Sequence, residues 1–471
     1  MASLAHAAER KAFEIAIRQA VRYVKKEGKD KSEQMSKLVD FVKKFMGSAY
    51  SEEQYQLAKW TITSPESKWS RFFAKGFDEI DENVLVTILL NMGYEALYRG
   101  TKLVRKSREE HDCNIPWLIL LDPTSACNLH CTGCWAAEYG HQMNLSYEDM
   151  DRIVTQAEEL GIHAFLMTGG EPTVRMNDIW KLCEKHNHSF FSAFTNGTLI
   201  DDKFCENMLR LGNFTVNISV EGFQNVNDAR RGAGDFEKVM KAMDCLKAHR
   251  LAFGTSICYT SANYKVVTSD EFLDMLIEHG VKWAWYFHYM PVGNAASTDL
   301  LLTPEQREYM YHRVREIRGF EGGKPIFTMD FQNDGEFIHG CIAGGRVYCH
   351  INPNGDVEPC VFIHYSSANI HDKSLLECLQ QPLFKAYQQN QPFNDNHLRP
   401  CPMLENPQVL REMVRETGAH STDMESKEDV DHLCSKCDRY AKDWAVTADR
   451  LWKSNHPDYE AQKEEKTVSV K

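Results

Sequence analysis

Residues Leu118 to Gly140 read LILLDPTSACNLHCTGCWAAEYG. An apolar run from Trp117 to Leu121 gives way to a turn carrying Cys127, Cys131 and Cys134 in the spacing CxxxCxxC, with Trp135 next. This is the pattern of a buried strand feeding a metal-binding loop. A structural zinc site takes four protein ligands, usually from two CxxC knuckles. Three thiolates on so short a loop instead wrap one iron–sulfur cube and leave one iron without a protein ligand.

A second apolar run, Ala164 to Met167, closes on MTGGEP, Met167 to Pro172, after an intervening helical stretch. Three cysteines followed by an aromatic residue, with GGE closing the next strand, resemble the radical S-adenosylmethionine (SAM) superfamily. The resemblance implies that the amino and carboxylate groups of SAM chelate the open iron, and that one electron splits the sulfonium to give a 5′-deoxyadenosyl radical. It implies that Gly169, Gly170 and Glu171 bind the SAM amino group and that Trp135 shields the cluster and flanks the adenine. Elementary chemistry agrees: glycine lets backbone approach a ligand, and a carboxylate complements an ammonium.

Composition narrows the alternatives. Lys and Arg number 54 against 67 Asp and Glu, a net charge of −13, which argues against a nucleic-acid surface. No run approaches the roughly 18 apolar residues of a membrane span, and the charged N-terminal pattern is not that of a signal peptide. The expectation is a cytoplasmic protein. Fifteen cysteines then argue for metal or redox chemistry rather than disulfides. Cys183, Cys205, Cys245 and Cys378 sit in helix-like patterns and read as small buried residues. The oxygen sensitivity of such a cluster points to an anaerobic host.

In chain order, residues 1–112 read as an N-terminal helical domain, with amphipathic segments at Ala8 to Lys26 and Ser32 to Met46. The most apolar stretch, Val84 to Arg105, reads as a helix packed on the catalytic domain with its cations near the C-terminus. Its other reading is a membrane-surface helix or a cap over a greasy substrate. Residues 113–318 alternate short apolar runs with helical patterns. Strands are expected at Trp117–Asp122, His163–Thr168, Phe190–Thr195, Phe214–Val220, Ala252–Tyr259 and Trp283–Met290. Ligand groups of such sheets gather at the C-terminal strand ends.

The fold class is therefore α/β: a partial (β/α)6 barrel of radical SAM type between the helical domain and a C-terminal α+β module. By resemblance, Thr195 and Asn196 after the third strand, and Ser219 and Glu221 after the fourth, contact the ribose and carboxylate of SAM. Arg231 pairs with the SAM carboxylate, and Met290 and Val292 supply adenine-binding backbone. Glu221 departs from the Asp more often found there. A lumen-facing member of Cys258, Tyr259, His288 and Tyr289 is a candidate hydrogen or proton donor.

Composition shifts at Gly319 to Lys324, which reads as a linker, and residues 325–445 form the third module. INPNGDVEPC reads as a hairpin turning at Asn354-Gly355. Thirteen residues separate Cys341 from Gly355 and four separate Gly355 from Cys360. This spacing resembles the SPASM and twitch modules that hold auxiliary 4Fe-4S clusters. The crowded second cysteine block of a full SPASM domain is missing, so one auxiliary cluster is expected, on Cys341, Cys360, Cys401 and Cys437, with Cys434 as the substitute for Cys437. Cys349 reads as packing, and residues 453–471 as a charged tail.

The resemblance implies an enzyme that abstracts hydrogen from a C–H bond, fed by an external one-electron reductant of flavodoxin or ferredoxin type. Its substrate reads as a peptide or protein, or as a lipid, with possible peripheral membrane contact. Lipid-tail C–C coupling, as in membrane-spanning lipid synthesis, and a non-enzymatic iron–sulfur redox protein are the alternatives.

Overall fold

A computed structural model describes residues 4–26, 28, 30–46, 51–320 and 323–457. The six expected strands form: β1 Leu118–Leu121, β2 Ala164–Met167, β3 Phe190–Thr195, β4 Phe214–Ser219, β5 Phe253–Tyr259 and β6 Trp283–His288. Three more join them: β7 Phe327–Asp330, β8 Tyr348–Ile351 and β9 Val357–Glu358. The sheet order is β7-β6-β5-β4-β3-β2-β1-β8-β9. Pairs are parallel from β7 through β1 to β8, and only β8–β9 is antiparallel.

Strands from either side of 319–324 therefore belong to one sheet. A six-stranded arc leaves unpaired N–H and C=O groups along both edges. The third module covers both, β7 beside β6 and β8 beside β1, so the barrel and the module share one sheet. The hairpin turns where the sequence placed it: Ile351 pairs with Val357, and Gly355 takes φ +87°, a left-handed conformation suited to glycine.

Alternate residues of each strand face opposite sides. Ile119, Leu121, Phe165, Met167, Phe191, Val216 and Ile218 point outward into the main core under the surrounding helices. The positions between them face a central lumen. Cys349 is fully buried in the main core, as its packing role requires.

The N-terminal region is helical: α1 Leu4–Lys25, α2 Lys31–Met46, α3 Glu52–Thr63, α4 Lys68–Glu79, α5 Glu82–Ile88 and α6 Thr101–His111, with a wide-turned π-helical stretch Leu89–Gly100 joining the last two. The Val84–Arg105 stretch packs on the sheet: Val84, Val86, Leu90, Tyr94 and Ala96 are buried. Buried Asn91 donates to the Asn187 and Ser189 carbonyls, and Trp117 Nε1 donates to the Ala96 carbonyl at 3.1 Å. Buried Glu95 is offset by Arg10 and Arg99. At Gly100 a Cβ would stand 2.6 Å from the Gly161 carbonyl, so only glycine lets helix and barrel approach this closely.

No helix among the described residues is long and apolar enough to cross a membrane. The last helix, Val430–Asn455, runs past the start expected for the tail, and residues 458–471 lie outside the described residues.

Candidate active site

The cysteine loop is stapled to the segment after β2. Gly170 N donates to the Thr124 carbonyl at 2.9 Å and Glu171 N to the Ala126 carbonyl at 2.8 Å. A Cβ on Gly170 would lie 2.3 Å from the Ala126 oxygen, and one on Gly169, at φ +98°, 2.7 Å from the Thr124 oxygen. The glycines are therefore demanded by loop-on-loop packing as well as by any ligand, a cause the sequence reading did not contain. Thr132 N, inside the loop, donates to the Arg230 carbonyl.

Glu171 is buried at the centre of this joint. Its Oε1 accepts from Thr173 N (3.1 Å), Thr173 Oγ1 (2.5 Å) and Thr195 Oγ1 (2.6 Å), and its Oε2 accepts from Asn196 N (2.7 Å). Burial pushes its carboxyl up, and these donors pull the other way. Asn196 Nδ2 reaches back to Asn128 Oδ1 of the cysteine loop at 2.8 Å. Thr195 and Asn196 thus orient Glu171 and the loop through their own hydrogen bonds.

Arg231 already has a carboxylate partner within the protein. Its Nη2 and Arg230 Nη1 both donate to Glu221 Oε1 at 2.6 Å, so Glu221 holds both arginines. Arg231 Nη1 also stands 4.0 Å from Cys131 Sγ. Glu221 Oε2 is buried without a partner, a free acceptor at the wall of the site. The pairing of both arginines was not legible, because their neighbours in sequence do not show which carboxylate the fold brings to them.

A cavity of about 310 Å³ collects these groups. Cys127, Cys131, Cys134, Trp135, Gly169 to Glu171, Thr195, Asn196, Ser219, Glu221, Arg231 and Met290 all border it. Val292 does not: it is buried in the apolar cluster under the third module. Cys258, His288 and Tyr289 border the cavity, whereas Tyr259 points away and donates to Asp330 at 2.9 Å. His288 is neutral because burial, with the Arg307 charge beside it, lowers it to about 3.

The donor set suits a multi-iron cluster. Burial pushes the Cys127 thiol up to about 11, so cluster binding must displace its proton. The one trio among the described residues whose donor atoms all lie within 4.8 Å, as a single small ion needs, is Cys205, Cys245 and His249 on the outer helices. The loop thiols are spread more widely, and Glu171 and Glu221, the latter with an oxygen lacking a partner, border the same cavity, which suits an ammonium- and hydroxyl-bearing ligand.

A second, smaller cavity of about 40 Å³ is bordered by Cys341, Cys360 and Cys401. It shares Met290, Phe331, Ile342, Tyr348 and Phe362 with the first, so the two groups of thiols stand on opposite sides of one wall. Tyr348 donates to Cys360 Sγ at 2.8 Å. Cys434 and Cys437 are buried on the last helix in the same apolar cluster but do not border the small cavity. The structure thus joins three of the four expected auxiliary ligands. Trp135 sits between the regions, edge-on to His350, Phe362 and His364 with ring centroids 5.9 to 6.2 Å apart.

The sequence reading missed one buried group at this junction. His350 lies 3.0 Å from Asp122 and 2.7 Å from Glu358, and Tyr139 donates to Glu358 at 2.7 Å. The signal was weak: alternate polar residues on a short hairpin.

Comparison with known proteins agrees with this geometry. The Radical SAM superfamily profile matches residues 121–281, and the SPASM profile, an iron–sulfur cluster-binding domain, matches residues 341–403. The mycofactocin maturase MftC of Mycolicibacterium smegmatis is 29% identical over 286 residues, covering 56% of this chain and 68% of that protein. The AdoMet-dependent heme synthase of Oleidesulfovibrio alaskensis is 26% identical over 285 residues, covering 54% and 72%. Streptococcus suis SuiB, solved with its precursor peptide SuiA, has the same fold at a TM-score of 0.51 and 16% identity, covering 76% of this chain and 84% of that one. This chain therefore carries a radical SAM domain over residues 121–281 followed by a SPASM iron–sulfur module over 341–403, the combination of a radical SAM enzyme whose cofactors are SAM and 4Fe-4S clusters.

Proposed function

We propose that the enzyme holds SAM at the cysteine-loop end of its lumen and removes a hydrogen atom from an aliphatic C–H bond of a substrate lying deeper in that lumen. The observation that carries this reading is the change in the cavity wall. Thiols, carboxylates and arginines border its cysteine-loop side, and Leu118, Leu120, Leu166, Phe194, Trp285 and Phe287 border it from positions earlier on the strands.

In this reading Cys127, Cys131 and Cys134 hold the cluster, and Cys341, Cys360 and Cys401, with Cys437 or Cys434 completing the set, hold an auxiliary one. Reduced and loaded, the cluster and SAM supply one-electron sulfonium cleavage and hydrogen-atom abstraction. Glu171, fixed by Thr173, Thr195 and Asn196, meets the SAM ammonium. Glu221 orients Arg230 and Arg231 and offers its free oxygen to a hydroxyl. Trp135 and Met290 flank the adenine. The apolar walls exclude water from the reacting carbon. Cys258 and Tyr289, whose hydroxyl is buried without a partner, are the hydrogen donors within reach of the cavity.

Of the two substrate classes, the wall favours a lipid chain. Peptide maturation is the second reading, favoured by the sequence likeness to MftC. A flavodoxin- or ferredoxin-type donor supplies the electron, in the cytoplasmic, anaerobic setting that suits oxygen-sensitive clusters.

The test is anaerobic reconstitution with SAM and reductant, assaying 5′-deoxyadenosine with a perdeuterated fatty acid as substrate. Deuterium in the deoxyadenosine, and its loss when Cys127, Cys131 and Cys134 are changed to Ala, is the expected result. Deoxyadenosine without deuterium would overturn the lipid assignment.

A further inference from the structure

A second space lies below the cavity, across a wall of shared side chains. Trp117, Leu118, Leu166 and Trp285 also wall a larger chamber of about 1140 Å³ at the N-terminal ends of the strands, where α3, α4 and α5 cover the sheet. Barrel interiors of this kind are ordinarily filled by layers of bulky branched side chains. Here Ala164, Ser192, Thr215 and Asn217 are among the lower inward positions, beside Leu118, Phe190 and Trp283, and these four small side chains leave space open. At Gly254 a Cβ would fall 2.1 Å from Trp283 Nε1, so glycine lets that indole lie against the wall.

The polar groups of this wall satisfy one another. Thr215 Oγ1 donates to Ser192 Oγ at 2.9 Å, Asn217 Nδ2 to the same oxygen at 3.0 Å, and Trp283 Nε1 to Asn217 Oδ1 at 2.6 Å. The cations at the margin are likewise paired: Arg318 with Asp334, Arg315 with Glu336 and Lys282 with Glu79. A peptide brings one donor and one acceptor per residue, and this chamber leaves them without partners. A hydrocarbon needs none.

The mouth is apolar as well. Leu57, Phe73, Phe320, Phe327 and Phe337 border the chamber yet are 39 to 58% exposed, and Trp60 packs against Phe320 at 6.0 Å between ring centroids. A cluster of large exposed apolar side chains marks a contact surface. The dimensions also match: the six residues of β3 span roughly 20 Å at about 3.3 Å each, and one leaflet of a bilayer core is about 15 Å deep.

We infer that this chamber binds one long aliphatic lipid chain, tail first, through the mouth between the N-terminal helices and the lower sheet edge, with the tail directed at the cysteine-loop cavity. The inference rests on the proposed function for the fate of the chain, not for its binding. The probe is parinaric acid, a fluorescent long-chain fatty acid, titrated into the reconstituted full-length enzyme. Saturable enhancement is expected, with affinity falling about tenfold or more in Ala164→Phe, which fills the lower lumen, and in Phe73→Asp, an exposed mouth position that leaves the core intact.

Deoxyadenosine formation from SAM and reductant is measured on the same samples. Cleavage retained while parinaric acid binds equally to the parent and to Phe73→Asp, or not at all, overturns the chamber and leaves the enzyme reading standing. Binding as expected without any deoxyadenosine sinks the enzyme reading and leaves the chamber. Saturable binding of trileucine that displaces parinaric acid assigns the chamber to peptides and overturns the inference.

Discussion

The two ends of the lumen are built from the same strands and the same alternation of side chains, yet they are opposites. At the C-terminal ends, Glu171, Glu221, Arg230, Arg231 and three thiols converge, and the Glu221 acceptor is left open. At the N-terminal ends, Thr215, Ser192, Asn217 and Trp283 form a chain of hydrogen bonds among themselves. Polar residues occur at both ends, so polarity alone does not mark the site of chemistry. What distinguishes the upper end is unspent hydrogen-bonding and metal-binding capacity, and what distinguishes the lower end is unspent volume.

The sharpest way to break this comparison is at the joint that holds the upper end together. Gly170→Ala places a methyl against the Ala126 carbonyl, and overpacking of this sort costs about 1–3 kcal/mol. The expected outcome is a displaced cysteine loop, seen as loss of most of the iron of the SAM-binding cluster by elemental analysis, with parinaric acid binding unchanged. Full iron content would show that the loop tolerates the displacement.

A smaller effect belongs to the lower end. Asn217→Ala strands the Trp283 indole N–H and removes a donor to Ser192, and an unsatisfied buried group costs about 1–3 kcal/mol. A lower midpoint in denaturant with normal SAM affinity, measured by calorimetry, is expected. Weakened SAM binding would mean that the two ends are not independent.

The smallest effect lies between the ends, at His350. Burial alone would lower this imidazole, but Asp122 and Glu358 outweigh it and raise it to about 10. A histidine raised in the folded state contributes stability that is complete below its ordinary value of about 6.5 and is lost as pH rises through about 10. The expected result is a falling thermal midpoint between those pH values, and a flatter profile in His350→Gln. Identical profiles would remove the imidazolium from the account.

The sequence reading and the structure part company at identifiable places. The six strands, the cysteine loop, the GGE segment and the Asn354-Gly355 hairpin were legible because each is set by local rules: period-two burial, glycine at a left-handed turn, thiols at fixed spacing. The pairing of Arg231 with Glu221, the burial of Val292 away from the cavity and the joining of β7 and β8 to the sheet edges were not. Each depends on which distant residues arrive at one place. The change in composition at 319–324 has the same limit: it reports on solvent exposure, not on which sheet the next strand joins.

By itself the sequence determined the chemistry of this enzyme, because three cysteines and a GGE segment on short loops carry their function in their spacing. Only the tertiary structure decided where a substrate can lie. The chamber is a property of small inward residues on four strands facing helices from the N-terminal region, and no single stretch of the chain contains that volume.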